Sequence, residues 1–344
     1  MNIISNKWVF RVKYNANGDV DKFKARLVAR GFEQTAGVDF HETFSPVIKP
    51  CTIRLIFTLV VTNQWSIQQI DVNNAFLNGD LKETVYMSQP EGFADSLHPT
   101  YVCKLQKALY GLKQAPRAWF LKLTGFLSSI GFKQSVADSS LFYESSNGAQ
   151  MFILIYVDDI RSFGGDSKQI SSVIQLLNDQ FALKTLGEVD YFLGMEAHRS
   201  AAGLVLSQSK YIHDFLVKIH MLDCKPSLTP ISTGHKLSLK DNKEFDQPSL
   251  YRSVVGTLQY LTFTRPDIAF TINKLSQFLH QPTMHHWLTC KHLLRYLRGT
   301  MSLGIMFKPA ARMLLEAYSD ADWASSVDDR KSTVDIVCFL VVIC

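Results

Sequence analysis

Apolar and basic positions alternate at the start of the chain, in WVFRVK (8–13) and again in FKARLVAR (23–30), with a Gly/Asn turn signal, NANGD (15–19), between them. The pattern predicts a hairpin with one basic face carrying Lys22, Lys24, Arg26 and Arg30. Each charge alone reads as a solvated strand position, whereas four on one short hairpin suit phosphate groups. Residues 52–63 place Ile53, Ile56, Phe57, Val60 and Val61 at helical spacing, which predicts a helix with one face in a core. A tight turn follows at Asn78-Gly79. The loop LYGLKQAP (109–116) then leads into a helix in which Pro116 suits the first position and Trp119, Phe120, Leu123, Leu127 and Ile130 form a core stripe.

Further on, the periodicity predicts a helix over 169–181, a Gly turn at 186–188 and a short strand over 191–195. Helices over 208–219 and 251–263 follow, with Pro226, Pro230 and Pro248 punctuating the link. A longer helix over 282–297 turns Trp287, Leu293, Leu294 and Leu297 inward and Lys291, Arg295 and Arg298 outward. That outer face is either plainly solvated or a contact for a nucleic-acid backbone.

One stretch stands apart, MFILIYVDDI (151–160), in which an unbroken apolar run meets two adjacent acids, Asp158 and Asp159. A run of that length bounded by a turn fits a buried strand. Two carboxylates at its tip repel unless a cation sits between them, which points to a divalent metal. An Asp-Asp pair is equally an ordinary hairpin turn, because Asp tolerates the backbone angles such turns need. Asp71 shifts the balance: it closes WSIQQI (65–70) and opens VNNAF (72–76), so three carboxylates lie at two strand ends.

Composition limits what these acids serve. With 344 residues, 47% of them hydrophobic, the chain can bury a substantial core and divide into subdomains. Its formal charge of +5 is a mild basic excess, compatible with a polyanionic partner. The cysteines at 51, 103, 224, 290, 338 and 344 show no metal-ligand spacing and read as reduced thiols. The start of the chain lacks signal-peptide features and no stretch is long enough to span a bilayer, so a soluble intracellular protein without membrane contact is expected.

Taken together, the motifs resemble the reverse transcriptase of copia-type long-terminal-repeat retrotransposons. The resemblance runs in order through KARLVARGFEQ (24–34), ETFSPV (42–47), DVNNAFLNGDL (71–81), LYGLKQAPRAW (109–119) and YVDD (156–159). It continues through LGEVDYFLGME (186–196), YRSVVGTLQYLTFTRPDI (251–268), LRYLRGT (294–300) and YSDADWA (318–324). It implies an α+β right-hand polymerase: fingers and palm over 1–198, thumb and connection over 199–310, and a truncated RNase H-like fragment over 311–344. The implied activity is RNA-directed DNA synthesis by two-metal nucleotidyl transfer, as one part of a retrotransposon Pol polyprotein whose DNA product is destined for integration. Its requirements would be an RNA or DNA template, a primer, deoxynucleoside triphosphates and two Mg²⁺ ions, with Mn²⁺ as a substitute.

Carried over residue by residue, Asp71, Asp158 and Asp159 are the implied catalytic and metal-binding acids. Phe76 would exclude a ribose 2′-hydroxyl, Gln114 would lie near the nucleotide and template, and Lys24 and Arg26 would approach the triphosphate. Tyr156 would lie by the primer terminus and Gly194 in a primer-grip hairpin. Asp320 corresponds to the first acid of an RNase H site. The chain departs from the family in two places. After Asp159 comes IRSFG (160–164) in place of an apolar return strand, and Arg161 shares a strand face with Phe163. If that face is buried, the guanidinium needs a partner, and beside Asp158 or Asp159 it would compete with magnesium. The second departure is the segment 333–344, which leaves the RNase H pattern and would lack the other acids, so RNase H activity is expected to be absent. An inactive relic acting at most by binding nucleic acid is the alternative reading.

Overall fold

A computed structural model describes residues 2–15, 17–146, 149–187, 191–232, 237–239, 243–310, 313–321, 323–324, 326–332 and 334–342. The chain forms two compact units, Met1–Thr52 with Ser66–Glu188, and Ile53–Trp65 with Val189–Cys344. Both mix helices and sheets.

The first unit is organised by a six-stranded antiparallel sheet. Its strands run in the spatial order Leu183–Gly187, Ser66–Val72, Asp159–Gly164, Ala149–Tyr156, Leu141–Ser146, Lys133–Gln134. Period-two alternation decides which face is covered: Met151, Ile153, Ile155 and Ile160 form one cluster with Ile70 and Val72. Two helices supply the other half of that core. Ala115–Ser129 contributes Trp119, Leu123 and Leu127, and Ser167–Phe181 contributes Ile170, Leu177 and Phe181. The second helix is started by Asp166, whose carboxylate accepts from the Lys168 and Gln169 backbone N–H groups.

The predicted basic hairpin is present, Asn6–Tyr14 paired with Val20–Ala29. Its register sets Arg11 opposite Lys24 and Lys13 opposite Lys22, so the basic face is drawn from both strands. Arg30 lies beyond the strand and reaches Glu33 at 3.9 Å. Nearby, a small three-stranded sheet and a cluster around Ile4, Ala29, Met87 and Leu112 complete the unit.

In the second unit, the helix Pro50–Thr62 buries Ile53, Ile56, Phe57 and Val60 as its spacing predicts, with the Phe57 ring 5.9 Å from that of Phe307. Helices Ser209–Lys218, Pro248–Leu261, Ala269–Ser276 and Met284–Gly299 share a core that includes Leu216, Tyr251, Leu258, Leu275 and Leu294. The RPD sequence is structural. Arg265, 1% exposed, donates through Nε and Nη2 to both Asp267 oxygens at 2.9 and 2.7 Å, and through Nη1 to the Thr300 carbonyl. A separate two-stranded sheet pairs Met313–Ala321 with Val334–Val342.

Four expectations are corrected. Leu183–Gly187 is a strand paired with Ser66–Val72 through a register shift, with Gly187 itself opposite Gln69; Glu188 lies outside the described residues, as do Val189 and Asp190 of the same motif. The strand expected over 191–195 is broken by Leu193 and Gly194, whose φ angles of +49° and +70° make a hairpin turn between Tyr191–Phe192 and Met195–Ser200. Pro116 is the second residue of its helix. Arg295 and Arg298 do not simply face outward, because their Nε atoms donate to the carbonyls of Lys225 and Leu222 and brace that link. Among the described residues no helix is long and apolar enough to cross a membrane.

Candidate active site

The three acids meet by register. Asp159 opens its strand directly opposite Asp71 on Ser66–Val72 and opposite Tyr156 on Ala149–Tyr156, so Val157 and Asp158 form the turn between two central strands. Val157 has φ +57°. A β-branched residue rarely adopts that conformation, and its presence marks a turn held by its surroundings. The holder is Trp119, 1% exposed, whose indole Nε1 donates to the Val157 carbonyl at 2.7 Å. The core stripe of the Ala115–Ser129 helix therefore also fixes the acid-bearing turn.

Asp71, Asp158 and Asp159 are all half-buried. Removal of water raises the Asp158 carboxyl above the ordinary range, and the like charges of Asp159 and Asp71 push it the same way, against the pull of Arg26. Lys24 is displaced downward, by desolvation first and then by Arg26 and Lys13, with Asp71 opposing. Those mutual influences place the basic hairpin and the acids in one electrostatic neighbourhood. Among the described residues no group of three or more His, Cys, Asp or Glu side chains stands ready to hold a metal ion.

Arg161 lies two residues beyond Asp159 on the same strand face. It is 2% exposed, and its Nη1 donates to Asp159 Oδ1 at 3.3 Å and to the Ile160 carbonyl at 3.2 Å. Burial lowers its pKa while Asp159 acts in the opposite sense. The sequence left open whether this face is buried; it is, and the guanidinium has taken an acid of the cluster as partner.

An aromatic group flanks the acids. The Phe76 ring, half-buried, packs 4.6 Å from that of Tyr110, and the Arg26 guanidinium lies 5.4 Å from the Tyr110 centroid. Burial and then the charge of Asp158 raise the Tyr110 phenol above its usual value. Sequence reasoning quoted Tyr110 inside LYGLKQ without giving it a role, and the signal available was its adjacency to Gly111. At Gly111, φ is +94° and a Cβ would lie 2.0 Å from the Ala29 carbonyl oxygen. Glycine thus lets the loop press on the end of the basic hairpin, and the Ala29 N–H donates to the Tyr110 carbonyl at 2.8 Å. Gly79 does the same service below Phe76, since a Cβ there would lie 2.8 Å from the Trp119 nitrogen.

Gln114 is 3% exposed and its amide is committed to the fold. It donates to the Asp39 carbonyl at 2.8 Å and accepts from Gln34 Nε2 at 3.0 Å, while Gln34 Oε1 accepts from the Lys113 N–H. The two glutamines staple the KARLVARGFEQ segment to the LYGLKQAPRAW loop. Tyr156, Lys24, Arg26, Phe76 and Gln114 all belong to the unit that carries the acids, whereas Gly194 and Asp320 belong to the other. Asp320 is exposed on the Met313–Ala321 strand; Asp322 and Thr333 of the same region lie outside the described residues.

The family model described as reverse transcriptase (RNA-dependent DNA polymerase) matches residues 1–233. The chain is 48% identical over 338 residues to a retrovirus-related Pol polyprotein from transposon RE1 of Arabidopsis thaliana, covering 98% of this chain and 23% of that protein. It is 40% identical to the Pol polyprotein from transposon TNT 1-94 of Nicotiana tabacum, over 95% of this chain and 25% of the relative. A putative transposon Ty5-1 protein of Saccharomyces cerevisiae is 33% identical over 79% of this chain and 89% of its own length. The chain spans about a quarter of the Pol polyproteins it matches. It belongs to the reverse transcriptase (RNA-dependent DNA polymerase) family, in the branch of copia-type retrotransposon Pol proteins.

Proposed function

We propose that this chain is the polymerase core of a copia-type reverse transcriptase, with fingers and palm over 1–198, thumb and connection over 199–310 and an RNase H-like fragment over 311–344. The observation that carries the reading is the register that sets Asp159 opposite Asp71 across two central strands, with Asp158 on the adjoining turn. In the reaction the primer 3′ oxygen attacks the α-phosphorus of a deoxynucleoside triphosphate and pyrophosphate leaves.

The crowding that lifts Asp158 is relieved by a cation, so the acids suit Mg²⁺ although they do not enclose it. Magnesium commonly takes one or two protein carboxylates and completes its shell with substrate phosphates, so Asp71 and Asp158, with Asp159 beside them in the same site, are the residues that would hold it. Held there, Mg²⁺ would supply Lewis acidity at the primer hydroxyl and offset charge on the phosphates.

The chain's own groups do the positioning. Lys24 and Arg26 receive the triphosphate, and Arg26 Nε, a buried donor with no partner among the described residues, is suited to an anion. Phe76, backed by Tyr110, supplies the bulk that excludes a 2′-hydroxyl. Gln114 acts through the loop it fixes, Tyr156 lies beside the primer end, and Gly194 shapes the grip hairpin. The test is primer extension on an RNA template with Mg²⁺ or Mn²⁺. Extension by the wild type that is lost in Asp158→Asn supports the reading, and equal signal from both proteins, or none from either, defeats it. The buried Arg161–Asp159 pair favours a second reading, an inactive relic that retains the fold.

A further inference from the structure

We propose that Arg161 is a built-in cation that competes with divalent metal for the acid cluster and sets a low metal affinity in this chain. The inference rests on the reading of Asp71, Asp158 and Asp159 as a metal site, and goes beyond it by naming the residue that tunes occupancy.

Three observations converge. First, the guanidinium cannot withdraw: it is 2% exposed, inside the sheet, with Phe163 on its own face fully buried. An arginine that desolvated needs an anion more than a half-exposed carboxylate needs an arginine, and Asp159 keeps 36% of its side-chain surface. Second, the guanidinium Nη1 donates to Asp159 Oδ1 at 3.3 Å, so its charge sits on an acid of the cluster. Third, the register sets Asp71 opposite Asp159 and leaves Asp158 on the adjoining turn, so a charge held at Asp159 lies next to both other acids. A positive charge 3.3 Å from Asp159 offsets part of the crowding among these acids. It neutralises part of the repulsion that a metal ion would otherwise neutralise, and it repels the incoming ion.

The opposing account treats the ion pair as packing alone, with no influence on the metal. Mn²⁺ binding to the full chain separates the two, read by the electron paramagnetic resonance signal of free Mn²⁺ in the absence of nucleotide and nucleic acid. Only the component lost in Asp158→Asn is counted. Arg161→Leu should bind that Mn²⁺ roughly tenfold more tightly than the wild type, from removal of one charge at short range. Arg161→Lys, which keeps the charge, should stay within about threefold of the wild type. Arg161→Met repeats the neutral case with an unbranched stem, and thermal melts establish which variants are folded.

Equal affinity in the wild type and the folded neutral variants would overturn the role of Arg161 while leaving the metal site standing. Tight binding by Arg161→Lys as well would overturn it too, because shape and not charge would then govern. No Asp158-dependent binding in any variant would remove the metal site itself, and this inference with it.

Discussion

Two hairpins in this chain carry acids at comparable places, and they differ in what surrounds them. Ala149–Tyr156 and Asp159–Gly164 sit in the middle of a six-stranded sheet, with neighbours on both sides and two helices over one face. Met313–Ala321 and Val334–Val342 form a sheet of two strands only. In each, the backbone register puts one aspartate position opposite another, Asp159 with Asp71 and Asp320 with Asp335. Like charges held opposite each other, as Asp159 and Asp71 are, are destabilising. The first hairpin offsets that cost with the buried guanidinium of Arg161 and with core packing of Ile153, Ile155 and Ile160. In the second, Tyr318, Val334 and Trp323 are 60%, 61% and 95% exposed. An acid pair becomes a chemical site only where a rigid, partly dry frame holds it.

The comparison breaks most sharply through the acids themselves. Asp71→Asn or Asp158→Asn should lower primer extension by about 10³-fold or more, whereas Asp320→Asn should leave extension unchanged. RNA hydrolysis attributable to Asp320 should be undetectable in a labelled-hybrid assay. Loss of extension in Asp320→Asn to the same degree as in Asp158→Asn would mean that the second hairpin contributes to the site.

The next largest effect concerns the frames. Trp119→Phe deletes the indole donor to the Val157 carbonyl and part of a fully buried ring system, and should destabilise the protein by about 2–4 kcal/mol in urea melts. Trp323→Phe, at the other hairpin, should change stability by less than about 0.5 kcal/mol. Val157→Gly comes third and acts in the opposite direction. A non-glycine residue in the left-handed region costs about 1–2 kcal/mol, and the extra freedom of glycine in the unfolded chain takes back about 0.5–1 kcal/mol. A net gain of about 0.5–1 kcal/mol is expected, with slower extension because the turn is less fixed. A loss of stability would show that the Val157 side chain contributes more than its backbone strain removes.

How much of this was visible in the sequence follows from how local each determinant is. Apolar runs and helical stripes depend on near neighbours, so the basic hairpin, the Trp119 stripe and the strand that ends at the acids were legible from pattern alone. That Arg161 shares a face with Phe163 was legible from alternation, but its burial was not, because residues 160–163 are buried on both faces. Partners distant in sequence were not. Gln34 and Gln114 are 80 residues apart, and nothing in either motif says that their amides bond to each other. Arg295 and Arg298 have the spacing of a solvated face, and only the returning segment at 222–225 turns them inward. Leu183–Gly187 was hidden because its glycine signal lies at the strand's own end, where pairing with Ser66–Val72 overrides the local turn preference.

The smallest expected effect is electrostatic, and it asks whether the central frame really compresses its acids. In the folded chain the Asp158 carboxyl holds its proton more tightly than in the unfolded chain, through desolvation and then the charges of Asp159 and Asp71. The stability tied to that group is therefore fully present below the unfolded carboxylate value of about 3.9. It is lost as the pH rises through the raised folded value. Asparagine does not titrate, so the stability of the wild type relative to Asp158→Asn should decline across that window and remain lower at neutral pH. Because the group is only half-buried, the decline should be less than about 1 kcal/mol. Urea melts of both proteins without divalent ions, from about pH 4 to about pH 8, measure it directly. Parallel curves would mean that Asp158 titrates as it does in the unfolded chain, and that the turn held by Trp119 places it in water and not among its fellow acids.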